Sequence, residues 1–184
     1  MRGTFMRHVL ISALFAAALP LAAAAQEAAP ETAPEVTNGQ AFGDWTVRCE
    51  ALGMNRTRCM LSQTISMREG NRLLAELLAF WSDDGKEILA AQVPVGAHLP
   101  SGFVLQPEGA PEDQRLDFTW QACNPRICEA VALPDQAAID RLVGAERVLA
   151  GYRPAVGGEA AVFPISTKGL TEGLAALKPA ATPE

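Results

Sequence analysis

Histidine is nearly absent from this chain, with only His8 and His98 in 184 residues. A zinc centre is therefore hard to build, since the four cysteines stand at spacings unlike those of structural zinc sites. Positive charge is also short. Fifteen Lys and Arg face 21 Asp and Glu, for a net charge of −6, which argues against nucleic acid as a partner and against adsorption to anionic lipid. The one long apolar run, residues 9–19, is interrupted by Ser12 and closed by Pro20. It falls well below the roughly 20 apolar residues of a membrane-spanning helix, so no stable membrane insertion is expected. Glycine-rich phosphate loops and internal repeats are missing too. Asp83 and Asp84 lack the further alternating acids and closing glutamate of a calcium loop, which leaves them as turn residues.

What the amino terminus does contain is a leader. Arg2 and Arg7 precede the apolar run, and Ala22–Ala25 supply a small-residue exit, the pattern of a cleavable secretory signal over residues 1–25. No cysteine stands at the cut to receive a lipid, so the expected product is soluble, and removal of Arg2 and Arg7 makes it more acidic by two charges. Residues 26–39, rich in Ala, Pro and Glu, carry too few large apolar side chains to offset ordering entropy and read as a flexible leader. Residues 40–177 have the length of one domain with one core, and residues 178–184 read as a disordered tail. The expected location is the periplasm, or else the outer surface or the medium.

Four cysteines, Cys49, Cys59, Cys123 and Cys128, lie in that domain. An exported chain meets an oxidising compartment where thiols pair. Four can pair in three ways, and proximity favours Cys49–Cys59 and Cys123–Cys128, each pair flanking a turn-like stretch. The competing reading is a redox couple in Cys123–Cys128, but a thioredoxin-like motif has two intervening residues and this one has four.

Trp45, Val47 and Cys49 alternate with polar neighbours, as in a strand with one buried face. A hairpin centred near Met54 then sets Cys49 opposite Cys59 and Val47 opposite Leu61. Residues 72–81 are ambiguous: Leu73, Leu74, Leu77, Leu78 and Trp81 fit one face of a helix, and local evidence alone favours that state. Further strands are expected at 87–93, 103–106 and 116–121, the last from the alternation of Leu116, Phe118 and Trp120. A regular hairpin through Asn124–Pro125 would put Trp120 opposite Val131 and Phe118 opposite Leu133, leaving the second disulfide on the surface side. Asp135 can cap a short helix that Gly144 ends, strands at 147–153 and 160–165 follow, and Ser166 or Thr167 can cap a final helix presenting Leu170, Leu174 and Leu177. The architecture is all-β in the main, a β-sandwich or barrel with one short helix and a C-terminal helix.

Residues able to carry chemistry are few. A hydrolase would have to use His98, whose neighbours Pro94, Gly96 and Pro100 suggest an exposed loop. Asn55-Arg56-Thr57 matches a glycosylation acceptor, a triplet common by chance. Trp45, Trp81, Phe118 and Trp120 could line a ligand surface, but alternation assigns most of them to the core. The loop formed by Pro94, Gly96, His98, Pro100 and Gly102 is the candidate partner-binding segment, because binding usually sits on loops held by a rigid scaffold. No catalytic, cofactor-binding or metal residue is assigned, and a periplasmic hydrolase or thiol-redox enzyme is the alternative.

Several segments taken together resemble one family: Phe42-Gly43-Asp44-Trp45-Thr46-Val47-Arg48-Cys49, the 94–102 loop, the Cys123–Cys128 hairpin and Ser166-Thr167-Lys168-Gly169-Leu170. From Phe42 to Leu177 the chain is similar to the invasion-associated locus B family of bacterial envelope proteins. The resemblance implies an immunoglobulin-like β-sandwich, export to the periplasm or cell surface, and, in pathogenic members, a part in host-cell entry. It further implies that residues 72–81 form a strand. It brings no catalytic residues, and points to a protein partner in the envelope or on a host cell.

Overall fold

The computed structural model describes residues 36–54 and 56–178. The expected signal at 1–25, the leader up to residue 35 and the tail after Lys178 lie outside them. Val36–Gly39, read from sequence as the end of the leader, instead run along the first long strand. There the Gly39 N–H donates to Val47 O at 2.8 Å, and the Cys49 N–H donates to Asn38 Oδ1 at 2.9 Å.

Ten antiparallel strands follow: β1 Ala41–Phe42, β2 Trp45–Gly53, β3 Arg56–Ser66, β4 Leu73–Trp81, β5 Glu87–Pro94, β6 Phe103–Pro107, β7 Leu116–Cys123, β8 Ile127–Ala132, β9 Val148–Tyr152 and β10 Ala161–Ile165. Their order is β1-β2-β3-β4-β5-β8-β7-β6-β9-β10. Strand β7 joins two layers. Its later half, Thr119–Cys123, pairs with β8, while its earlier half, Leu116–Phe118, pairs with β6. The result is an immunoglobulin-like β-sandwich with helices α1, Gln136–Gly144, and α2, Leu170–Leu177.

The β2–β3 register is the expected one, with Cys49 opposite Cys59 and Val47 opposite Leu61. Residues 73–81 are a strand, and the reason local propensity misleads is visible in β4. Ala75, Leu77 and Ala79 face the main core, while Leu78 joins Met60 and Ala90 in a second cluster on the outer face. A strand buried on both faces loses the polar alternation that would announce it. On that outer face Phe80 and Val131 flank the cluster, and the Arg58 guanidinium lies 5.8 Å above the Phe80 ring.

The β7–β8 hairpin corrects one expectation. Cys123 does face Cys128, but a bulge between Trp120 and Ala122 shifts the register, so Thr119 faces Val131 and Trp120 faces Ala130. One extra residue turns every later side chain to the other face. Cys128 is thereby placed in the core at 2% exposure, while Cys123 stays at the surface. The second disulfide is therefore half interior rather than surface-side.

Both helices fill the core. Asp135 caps α1 by accepting from the Ala138 N–H at 2.7 Å, and Ile139 and Leu142 are buried. Helix α2 is capped by Gly169 in the left-handed region, not by Ser166 or Thr167. Gly169 and Gly43 touch through their backbones: a Cβ on Gly169 would lie 2.0 Å from Phe42 O, and one on Gly43 would lie 2.3 Å from Lys168 O. One turn later Gly173 rests on Leu61. At the far end Trp81 Nε1 donates to Leu174 O at 2.7 Å, and Lys178 Nζ sits 5.0 Å over the Trp81 ring.

Candidate partner-binding end of the sandwich

Main-chain hydrogen bonds gather three connections at one end of the sandwich. The Val95 N–H donates to Arg126 O at 3.0 Å, tying the β5–β6 loop to the β7–β8 hairpin. The His98 N–H donates to Arg153 O at 2.8 Å, tying it to the β9–β10 loop. Gly96 also passes close to that loop, since a Cβ there would lie 3.6 Å from Pro154 O. Within the β9–β10 loop, Arg153 Nη1 donates to Gly158 O at 2.8 Å.

The roots of these loops are rigid. Phe103, the first residue of β6, stacks edge-on against Phe118 at 5.1 Å between ring centres and lies 6.1 Å from Tyr152, the last residue of β9. The Tyr152 hydroxyl donates to Leu74 O at 3.1 Å, linking the second layer to the start of β4. Burial pushes the Tyr152 hydroxyl above its ordinary pKa, with the nearby Arg72 charge opposing the shift. The Cys123–Cys128 disulfide closes the third root, and Asn124 Oδ1 accepts from the N–H groups of Arg126 and Ile127.

Each residue of the sequence-predicted loop can now be placed. Pro94 ends β5, Gly96 bends the chain toward the β9–β10 loop, Pro100 sits in a single 3-10 turn, Leu99–Ser101, and Gly102 follows it at positive φ. His98 is half-buried, and its Nδ1 shares a 2.6 Å hydrogen bond with Ser101 Oγ inside the same turn. Among the described residues no carboxylate bonds to it. Exposed apolar side chains decorate the end: Val156 is 83% exposed, Val95 54% and Leu99 41%. Prolines and glycines mark this loop in the sequence, whereas Arg126, Arg153 and Val156, which the fold brings to the same end, carry no signal there beyond membership in other turns.

No cluster of His, Cys, Asp or Glu that could hold a metal occurs among the described residues, and no described helix is long and apolar enough to cross a membrane. All four cysteines are paired, as Cys49–Cys59 and Cys123–Cys128.

The family described as invasion associated locus B (IalB) protein matches residues 45–178. Among solved structures, the crystal structure of invasion associated protein b from Bartonella henselae superposes with a TM-score of 0.59 at 15% identity, covering 73% of this chain and 90% of that one. At that identity the likeness concerns the fold. No curated protein sequence matches.

Proposed function

Because the chain belongs to the invasion associated locus B family, we propose that it acts as an exported, non-enzymatic envelope protein whose loop-bearing end binds a protein partner in the envelope or on a host cell. The observation that carries this reading is the 94–102 loop itself. It is pinned by the Val95–Arg126 and His98–Arg153 main-chain bonds, yet holds Val95 and Leu99 out to solvent. A loop ordered before binding loses less entropy on association than a free one. His98, on which hydrolytic chemistry would depend, is engaged within its own turn by Ser101, which supports a positioning task. Two closed disulfides support residence in an oxidising compartment, the periplasm or the outer surface.

Replacing residues 95–101 by a neutral Gly-Ser linker, and comparing photo-crosslinking from a probe at the exposed Val156 in intact cells with and without the linker, tests the proposal. Loss of a discrete cross-linked partner is expected with the linker in place. An unchanged set of cross-linked and co-purified proteins would show that partners bind elsewhere.

A further inference from the structure

Charge is unevenly divided between the two ends of this acidic protein. The loop-bearing end carries Arg68, Arg72, Arg126 and Arg153 against Glu69 and Glu159. Because the strands alternate in direction, the connections β4–β5 and β6–β7 lie at the other end, and they bring Asp83, Asp84, Glu108, Glu112 and Asp113 against Lys86 and Arg115. Arg48, Arg58, Arg115 and Arg147 each meet a carboxylate within 3.6 Å, whereas among the described residues Arg68, Arg72, Arg126 and Arg153 at the loop-bearing end, like Arg56 and Arg141 elsewhere, meet none. Arg72 contacts the Met67 sulfur, Arg153 a main-chain carbonyl, and Arg126 is exposed.

The main chain sets Arg126 and Arg153 beside the segments that carry Val95, Leu99 and Val156. The Val95 amide is bonded to the Arg126 carbonyl, Leu99 follows the His98 amide bonded to Arg153, and Val156 lies in the turn that Arg153 closes. Arg72 reaches the same end, close enough to influence the Tyr152 hydroxyl.

Resting on the reading that this end is an interface, we infer that its occupant is a protein segment in which carboxylates are interspersed with aliphatic side chains. Carboxylates satisfy guanidinium forks bidentately. Aliphatic side chains supply the apolar area that Val95, Leu99 and Val156 leave uncovered. A polyanionic saccharide or a phosphate-rich surface would meet the arginines but leave three aliphatic side chains in water, so the mixed chemistry favours an acidic peptide.

The processed, disulfide-bonded full chain is titrated with a labelled peptide alternating glutamate with leucine and valine, with a twin carrying lysine for glutamate, and with heparin. Binding of the acidic peptide is expected, with the twin inert and heparin weaker. Affinity should fall about tenfold in the doubly substituted Arg72→Glu, Arg126→Glu protein and again in moderate salt, while Arg141→Glu, on α1, leaves it unchanged. Val156→Asp should also weaken binding, and circular dichroism with thiol titration verifies that each variant is folded. Equal binding of the two peptides, preference for heparin, or indifference to the arginine reversals overturns the inference. If the linker in place of residues 95–101 abolishes partner capture but the arginine reversals do not, the interface stands and only its assigned chemistry fails.

Discussion

Gln63 and Ser166, 103 positions apart, exchange two hydrogen bonds: the Ser166 N–H donates to Gln63 Oε1 at 3.0 Å, and Gln63 Nε2 donates to Ser166 O at 3.0 Å. Gln63 points into the core from β3 at 8% exposure. Its amide pairs with the backbone beyond β10 as a strand would. Ser166 O also accepts from Trp45 Nε1, and Ser166 Oγ donates to Asp44 Oδ2. The residue after the last strand is thus locked to the first strands of the chain.

Replacing Gln63 by leucine keeps the volume but strands the Ser166 N–H. Losing the two bonds to Ser166 and the longer one to Asp44 O, and leaving a part-buried donor without a partner, predicts a loss of about 2–3 kcal/mol, readable by urea denaturation. Stability within a few tenths of the parent would mean that this pairing contributes nothing net.

Gly169→Ala should be among the most damaging single changes available. Positive φ strains any side chain, and here the new Cβ would meet backbone at 2.0 Å, which no side-chain rotation relieves. A loss of at least about 3 kcal/mol is expected. Gly85→Ala is the control: its φ is also positive, but open space surrounds it, and about 1 kcal/mol is expected.

The two half-cystines of the second hairpin should differ. Opening either disulfide removes roughly 2–3 kcal/mol of chain-entropy stabilisation. Cys128→Ser additionally buries a hydroxyl among core residues, whereas Cys123→Ser places one at the surface. Cys128→Ser should therefore be the less stable protein in parallel denaturation curves, by about 1 kcal/mol or more. A reversed order would contradict the bulged register.

Glu87 yields a pH-dependent prediction. Burial raises its carboxyl above the ordinary 4.5, with Lys178 opposing and Asp140 adding to the shift. A raised folded pKa stabilises the native state below the unfolded value, and that contribution is lost as pH rises through the folded one. Glu87→Gln should consequently be more stable than the parent at about pH 7, with the advantage fading below about pH 4. Denaturation at the two pH values checks the sign.

Much of the fold was legible because two signals reinforced each other. In β2–β3, alternation and the cysteine pair demanded the same register. In β4 they were silent, because side chains on both faces are buried and a leucine-rich stretch satisfies helix and strand periodicities alike; only the family resemblance supplied the strand. The bulge at Gln121 has no glycine to announce it, so regular alternation places both half-cystines at the surface, whereas Cys128 lies in the core. At the candidate site, Pro94, Gly96, Pro100 and Gly102 marked one loop, but nothing local said that Arg126 and Arg153 would carry it.

By itself the amino-acid order determined which segments become strands wherever one face stays wet, which thiols are near enough to pair, and where the chain must turn, since these depend on neighbours a few positions away. Only the tertiary structure decided that Ser166 meets Gln63, that Gly43 meets Gly169, and that three loops share one end, because such contacts form when distant strands pack into two layers and no local periodicity encodes them.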